Sequence, residues 1–227
     1  MSEPNSEYMG HFTPESGTAR SISRGLAETF EEKGISLNEL SAEGCDGTVT
    51  NTGTKGGIIK LLEDRLGRPL HWFVCQLHAN ELPLRHLFSS LDGKTSGPRC
   101  FTGPIGRLLA NCEIRPVVDF EPISFGDMPS IDIKELSTDQ KYLYEIHISV
   151  AQGSVPDDLA NRSPGNLNHA RWLTTANRIF RLYVATESPS DGLKSLCYLV
   201  MNMYAPMWFT LKTNPFVQDG PLSLIHI

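Results

Sequence analysis

The stretch Cys45-Asp46-Gly47-Thr48-Val49-Thr50-Asn51-Thr52-Gly53 decides how the rest of the chain is read. It sets one acidic residue in a run of small, polar, turn-forming residues between two apolar segments. A carboxylate at such a strand-to-loop junction is held by a rigid scaffold while facing solvent, where it can take a hard cation such as Mg²⁺. Asp46 is therefore the first candidate for chemistry. It also has a plainer reading, because Asp-Gly is a common turn pair and a turn aspartate accepts nearby backbone N–H groups. The sequence leaves both open.

Outward from this stretch, apolar spacing alternates with turn chemistry. Upstream, Ala19, Ile22, Leu26 and Phe30 recur at helical spacing and Gly34 follows as a C-cap, which predicts an amphipathic helix over Ser16 to Lys33. Residues 1–17 are otherwise polar, with room for a short strand near Tyr8 to Thr13. Ser36 and Glu39 have capping-box spacing, but Leu40 to Cys45 lacks helical continuation, so a short strand ending at Asp46 is expected. Downstream, Ile58, Ile59, Leu62 and Leu66 predict a second helix, stopped by Gly67 and Pro69. Leu70 to Cys75 is apolar on both faces apart from His71, as in an interior strand of a helix-covered sheet, and it delivers Cys75 and then His78. A third helix lies within Ala79 to Leu91, and Pro83 suits only its first turn, so the start is placed near Leu82. Helix, strand, helix, strand, helix is an α/β pattern.

From Gly93 the texture changes. Residues 93–136 carry Pro98, Pro104, Pro116, Pro122 and Pro129 and form a loop-rich connection in which Ile105 to Cys112 alone has helical character. Ser137 and Gln140 have capping-box spacing and open a helix to about Gln152. Residues 137–211 hold no convincing strand and read as mainly helical, with the aromatics and methionines of 196–209 taken as core. The fold class is thus α/β followed by mainly α, with residues 1–92 as an α/β core, 93–136 as connection, 137–211 as a helical region and 212–227 as an irregular tail. That tail ends in Leu-Ser-Leu-Ile-His-Ile without a capping or charged finish, as expected of a truncated or non-native end.

In the helix that follows Asn168, rotation by about 100° per residue puts Trp172, Leu173, Ala176, Ile179, Phe180 and Tyr183 on one side. Arg171, Thr174, Thr175, Arg178 and Arg181 fall on the other. One face packs, with Trp172 as its anchor, and the other is a basic stripe. Such a stripe is either a solvated helix face or a set of phosphate contacts.

At 227 residues and 25.2 kDa the chain is long enough to bury a sizeable core. A net charge of −6 and a pI near 5.6 argue against binding nucleic acid through overall attraction, so any DNA contact needs a local basic face. Cys45, Cys75, Cys100, Cys112 and Cys197 are odd in number and widely spaced, which fits reduced thiols inside a cell, with no secretory leader before them. The longest apolar run, Leu196 to Phe209, is interrupted by Asn202 and Pro206 and reads as a buried helix, leaving no membrane span. Cys75 and His78 would supply two of the four ligands of a structural zinc, with no second well-spaced pair after them. A buried thiol with a histidine bracing the strand-to-helix turn is the expectation, and zinc is not. Thr54-Lys55-Gly56-Gly57 lacks the order of a phosphate-binding P-loop, and no Gly-x-Ser-x-Gly elbow occurs.

Three features in order resemble the catalytic region of hAT-like transposases: Cys45-Asp46-Gly47-Thr48 with Asn51 after it, Cys75-x-x-His78 after an apolar strand, and Arg171-Trp172 at a helix start. The resemblance spans roughly residues 35–185 in three short motifs, and their order and spacing carry it. It implies a DDE/D nuclease with an RNase H-like core interrupted by a helical insertion domain. Asp46 then corresponds to the second metal-binding, catalytic aspartate, Cys75 and His78 brace the core, and Arg171, Arg178 and Arg181 become candidate DNA contacts. An intracellular, nuclear protein follows from the same resemblance, and a homo-oligomer is a further partner to consider.

The chemistry needs several carboxylates, because two divalent ions clamp the attacking and leaving oxygens of the phosphodiester. The family's first aspartate lies on an earlier strand and its final glutamate on a helix after the insertion, and Glu63 and Asp119 do not sit in those contexts. The Mg²⁺ site is thus incomplete. The expectation is a transposase-derived piece whose ancestral DNA cleavage and strand transfer are absent from the isolated chain. The alternative is a non-catalytic module of the same origin that binds DNA or protein. As a remnant missing leading strands, the core would expose sheet edges and be marginally stable.

Overall fold

A computed structural model of the chain describes residues 8–93, 101–167 and 172–213. Arg171, Cys100 and the tail from residue 214 lie outside the described residues, as does the start of the chain before Tyr8. By packing, the chain divides between Ala79 and Asn80 into two units.

The first unit begins with α1 (Ala19–Glu32), capped by the Thr18 hydroxyl, which accepts from Ser21 N. The helix ends as the glycine spacing predicts. Gly34 takes φ +69°, its N–H reaching Glu31 O at 2.9 Å, and Ile35 N reaches Phe30 O at 2.9 Å. Those two bonds form a Schellman motif, for which only glycine is unstrained. Residues 8–14 form no strand. A single 3₁₀ turn at Leu37–Glu39 leads to β1 (Ala42–Cys45), which ends one residue before Asp46 as expected. A one-turn helix α2 (Val49–Thr52), not anticipated, precedes α3 (Ile58–Leu66). The chain returns as β2 (His71–Val74), parallel to β1 with Ala42 opposite His71 and Cys45 opposite Val74. Ile58, Leu62 and Leu70 form a small core under Ala19, Ile22, Leu26, Leu37, Leu40 and Leu66. Glu63 ties α3 to β2, its Oε1 accepting from Leu70 N at 3.0 Å and Trp72 Nε1 at 3.1 Å.

β2 is not the interior strand its composition predicts. Among the described residues the sheet has two strands, each with one unpaired edge, and His71, Trp72 and Val74 are exposed, Trp72 by 42%. An unbroken apolar run signals that both faces want cover. Among the described residues the sheet does not provide it.

The second correction concerns α4 (Gln76–Asp92), which starts six residues earlier than expected and holds Pro83 in its interior. Proline there removes the bond that Ala79 O would accept, at a cost of about 3 kcal/mol. Burial of Leu84 and Phe88, at 0% and 1% exposure, offsets that cost.

The second unit, from Asn80, is helical: α5 (Pro104–Leu109), α6 (Thr138–Gln152), α7 (Asp157–Ala160), α8 (Trp172–Tyr183), α9 (Asp191–Leu199) and α10 (Ala205–Thr213). Asp92, itself buried, opens α5 by accepting from Ile105 N at 2.6 Å and Gly106 N at 2.7 Å. Gln140 Oε1 accepts from Ser137 N at 3.1 Å, completing the capping box read for α6. α8 packs against α5, α6 and α9.

Between α9 and α10 lies a π turn, Val200–Tyr204, which explains how the helix survives Pro206. In the wide i→i−5 register, Pro206 would have donated to Met201 O and cannot. That carbonyl instead accepts from His147 Nε2 of α6 at 3.0 Å. The described residues are thus mainly helical, with one small parallel β pair.

Candidate functional site

The ends of the two parallel strands bring together most of what the sequence singles out. Asp46 follows β1 directly and is exposed, and Cys75 follows β2, its N–H donating to Cys45 O at 2.9 Å. One turn further, His78 lies against Gly47: a Cβ added at that glycine would stand 2.8 Å from the His78 ring, so no larger residue fits unless the ring moves. Asp46 and Cys75 each come directly after the last register pair, Cys45 opposite Val74.

Asp46 Oδ1 accepts from Thr48 N at 3.0 Å and Asn51 Nδ2 at 2.8 Å. Hydrogen bonding from Thr48 holds the carboxyl below the usual carboxylate range, aided by Asn51 and the positive field of His78. This is the geometry of a turn aspartate that fastens α2, and it keeps the group ionised and facing solvent. Cys45 is the opposite case: burial, then the charges of Glu43 and Asp46, push its thiol up, away from nucleophilic use. Cys75 is exposed rather than the buried thiol expected, because β2 has no cover.

The donor set does not fit a two-magnesium centre. Magnesium asks for oxygen ligands in near-octahedral array. Around Asp46 stand the donors of Thr48 and Asn51, the ring of His78 and the thiol of Cys45, and its Oδ1 is already engaged. Among the described residues no three His, Cys, Asp or Glu converge as a metal site.

The basic stripe of α8 is a clear departure. Thr174, Thr175, Arg178 and Arg181 are as buried as the apolar side, Arg178 at 5% and Arg181 at 2% exposure. Arg178 forms a fork with Glu113, Nη1 to Oε2 at 2.9 Å and Nη2 to Oε1 at 3.1 Å. It also donates to Leu109 O at 2.6 Å and Gly165 O at 2.7 Å. Burial pushes Glu113 up, but the Arg178 fork outweighs it and the carboxyl sits low. Arg181 donates to Arg115 O at 2.6 Å and Glu113 O at 3.2 Å. These guanidinium groups stitch α8 to residues 109–115 and do not form a solvent-facing surface for phosphate. Trp172 is the anchor expected, edge-on to Phe88 and Phe101.

The aromatics and methionines of 196–209 split. Trp208 and Phe209 are core, whereas Tyr198, Met203 and Met207 are 62%, 55% and 51% exposed. Their spacing of five then four is off the α period, which hid them; the π turn brings them into one stripe. Among the described residues no helix is long and apolar enough to cross a membrane. Comparison with protein-family models, with curated proteins and with solved structures gives no match.

Proposed function

We propose that the chain carries part of an hAT-like transposase scaffold, RNase H-like around β1 and β2, and that on its own it does not cleave DNA. The observation that carries this reading is the joining of Asp46, Gly47, Cys75 and His78 at the carboxyl ends of two parallel strands. That is where ligands bind in α/β sheets, and it is the order in which the resemblance places the motifs. The ancestral reaction is Mg²⁺-dependent strand cleavage and transfer, and a nuclear location goes with it. One carboxylate cannot clamp two ions, so Asp46 here acts as a turn fastener.

The test is incubation of the chain with end-labelled duplex DNA and Mg²⁺. No cleavage is expected. Cleavage that disappears in Asp46→Asn would overturn the reading.

A second reading, a non-catalytic binding module of the same origin, is favoured by the exposed side chains of Tyr198, Met203 and Met207. Its DNA version cannot rest on Arg178 and Arg181, whose removal would loosen α8 before it changed any surface.

A further inference from the structure

We propose that the second unit binds a short basic peptide carrying one large apolar residue, in a groove between residues 119–123 and α9. Two adjoining cavities form it, one of about 460 Å³ and one of about 520 Å³, sharing Glu121, Tyr183 and Lys194. Both volumes are in the range of ligand-binding clefts. Their chemistry differs. The larger is walled by Leu87, Pro122, Ile123, Tyr198, Leu199 and Met203. The smaller carries Asp119, Glu121 and Glu187 against the single cation Lys194, a surplus of two negative charges.

The groove is rigidly framed. Tyr183 donates its hydroxyl to Glu121 O at 2.8 Å, and Val118 N and Ile123 N are bonded to Val184 O and Val150 O. These bonds hold residues 118–123 against the ends of α8 and α6. On the other wall, Lys194 and Tyr198 are four apart and Tyr198 and Met203 five apart across the π turn, which keeps all three in line. A π turn inside a helix frequently marks a functional position, and exposed methionine suits a surface that must fit an apolar side chain.

Charge complementarity selects the occupant. The surplus of carboxylates repels phosphate, so nucleic acid and anionic lipid are disfavoured at this face, while lysine or arginine beside an apolar anchor satisfies both halves. This goes beyond the transposase reading and is independent of it, because Asp46 lies in the other unit.

The probe is a displayed library of random short peptides selected on the full chain, followed by fluorescence polarisation of the enriched peptides. Enrichment of sequences with a large apolar residue beside Lys or Arg is expected, with affinity falling at least about tenfold in Tyr198→Ser and in Glu187→Lys. Both positions are exposed, and an unchanged thermal transition verifies that each variant is folded. No enrichment, enrichment of acidic sequences, or affinity unchanged in both variants would overturn the proposal. So would preferential binding of an oligonucleotide or of anionic vesicles over the peptides, provided the two variants abolish it.

Discussion

Arg178 gathers one carboxylate and two carbonyls from outside its own helix, Glu113, Leu109 O and Gly165 O, on a single buried guanidinium. Replacing it with methionine should cost about 2–3 kcal/mol, because the carbonyls of Leu109 and Gly165 lose their donor while Glu113, a third exposed, regains water. Lysine should recover little, because a point charge cannot make the fork; urea denaturation of both variants measures this. At Asp46 the expected effect is smaller. Asp46→Ala removes the acceptor of Thr48 N and Asn51 Nδ2 and should cost about 1 kcal/mol, as for an ordinary turn or cap hydrogen bond. Since the folded carboxyl titrates below its unfolded value of about 3.8, its contribution is present above that pH and fades as pH falls further. The Ala variant should lack that component of acid sensitivity. The placement of Asp46 was legible because a turn is written in adjacent residues. The fate of Arg178 was not, because Glu113 and Leu109 stand 65 and 69 positions away and nothing local distinguishes a buried guanidinium from a solvated one.

Among the elements, the π turn makes the sharpest claim, because its stability is delegated to another helix. His147 on α6 must donate from Nε2 to Met201 O, and burial pushes its pKa below the usual 6.5, so the folded state holds it neutral. A depressed histidine takes up its proton more readily when unfolded. Its contribution is therefore whole above about pH 6.5 and shrinks as pH falls from there. Thermal melts between about pH 7.5 and 5.5, above the carboxylate range, should show the midpoint falling, and His147→Gln should flatten that slope while lowering stability throughout. An equally steep slope in the variant would refute the assignment. The same contact shows why the turn escaped the sequence: Pro206 announces an interruption, but the group that accommodates it lies 54 residues earlier. α1, α3 and α6, by contrast, end or begin on glycines and on a capping box, and such signals are contained within the element they bound. Pro83 misled in the other direction. Its local penalty is real, and the buried Leu84 and Phe88 that outweigh it are tertiary facts.

For the molecule as a whole, the two units differ in how much they bury, and each should unfold on its own scale. The first has a cluster of three buried hydrophobic residues, Ile58, Leu62 and Leu70, and among the described residues its sheet is a single strand pair, which is marginal without further strands or cover. The second encloses Leu84, Leu109, Leu143, Ile146, Ile179 and Phe180, all at 1% exposure or less. Local opening follows local burial, so amides of β1, β2 and α3 should exchange at distinctly lower free energy than those of α6 and α8. The exposed β2 should also set the solution behaviour. Trp72 and Val74 present apolar area next to an unpaired strand edge, a combination that invites pairing with another chain. Charged residues on such an edge oppose association, and both side chains already stand in solvent. Val74→Lys should therefore slow concentration-dependent aggregation, read by light scattering, while leaving exchange in α6 and α8 unchanged. Aggregation as fast as in the parent chain would show that the edge of β2 is not the adhesive surface, and uniform exchange across both units would show that they open as one.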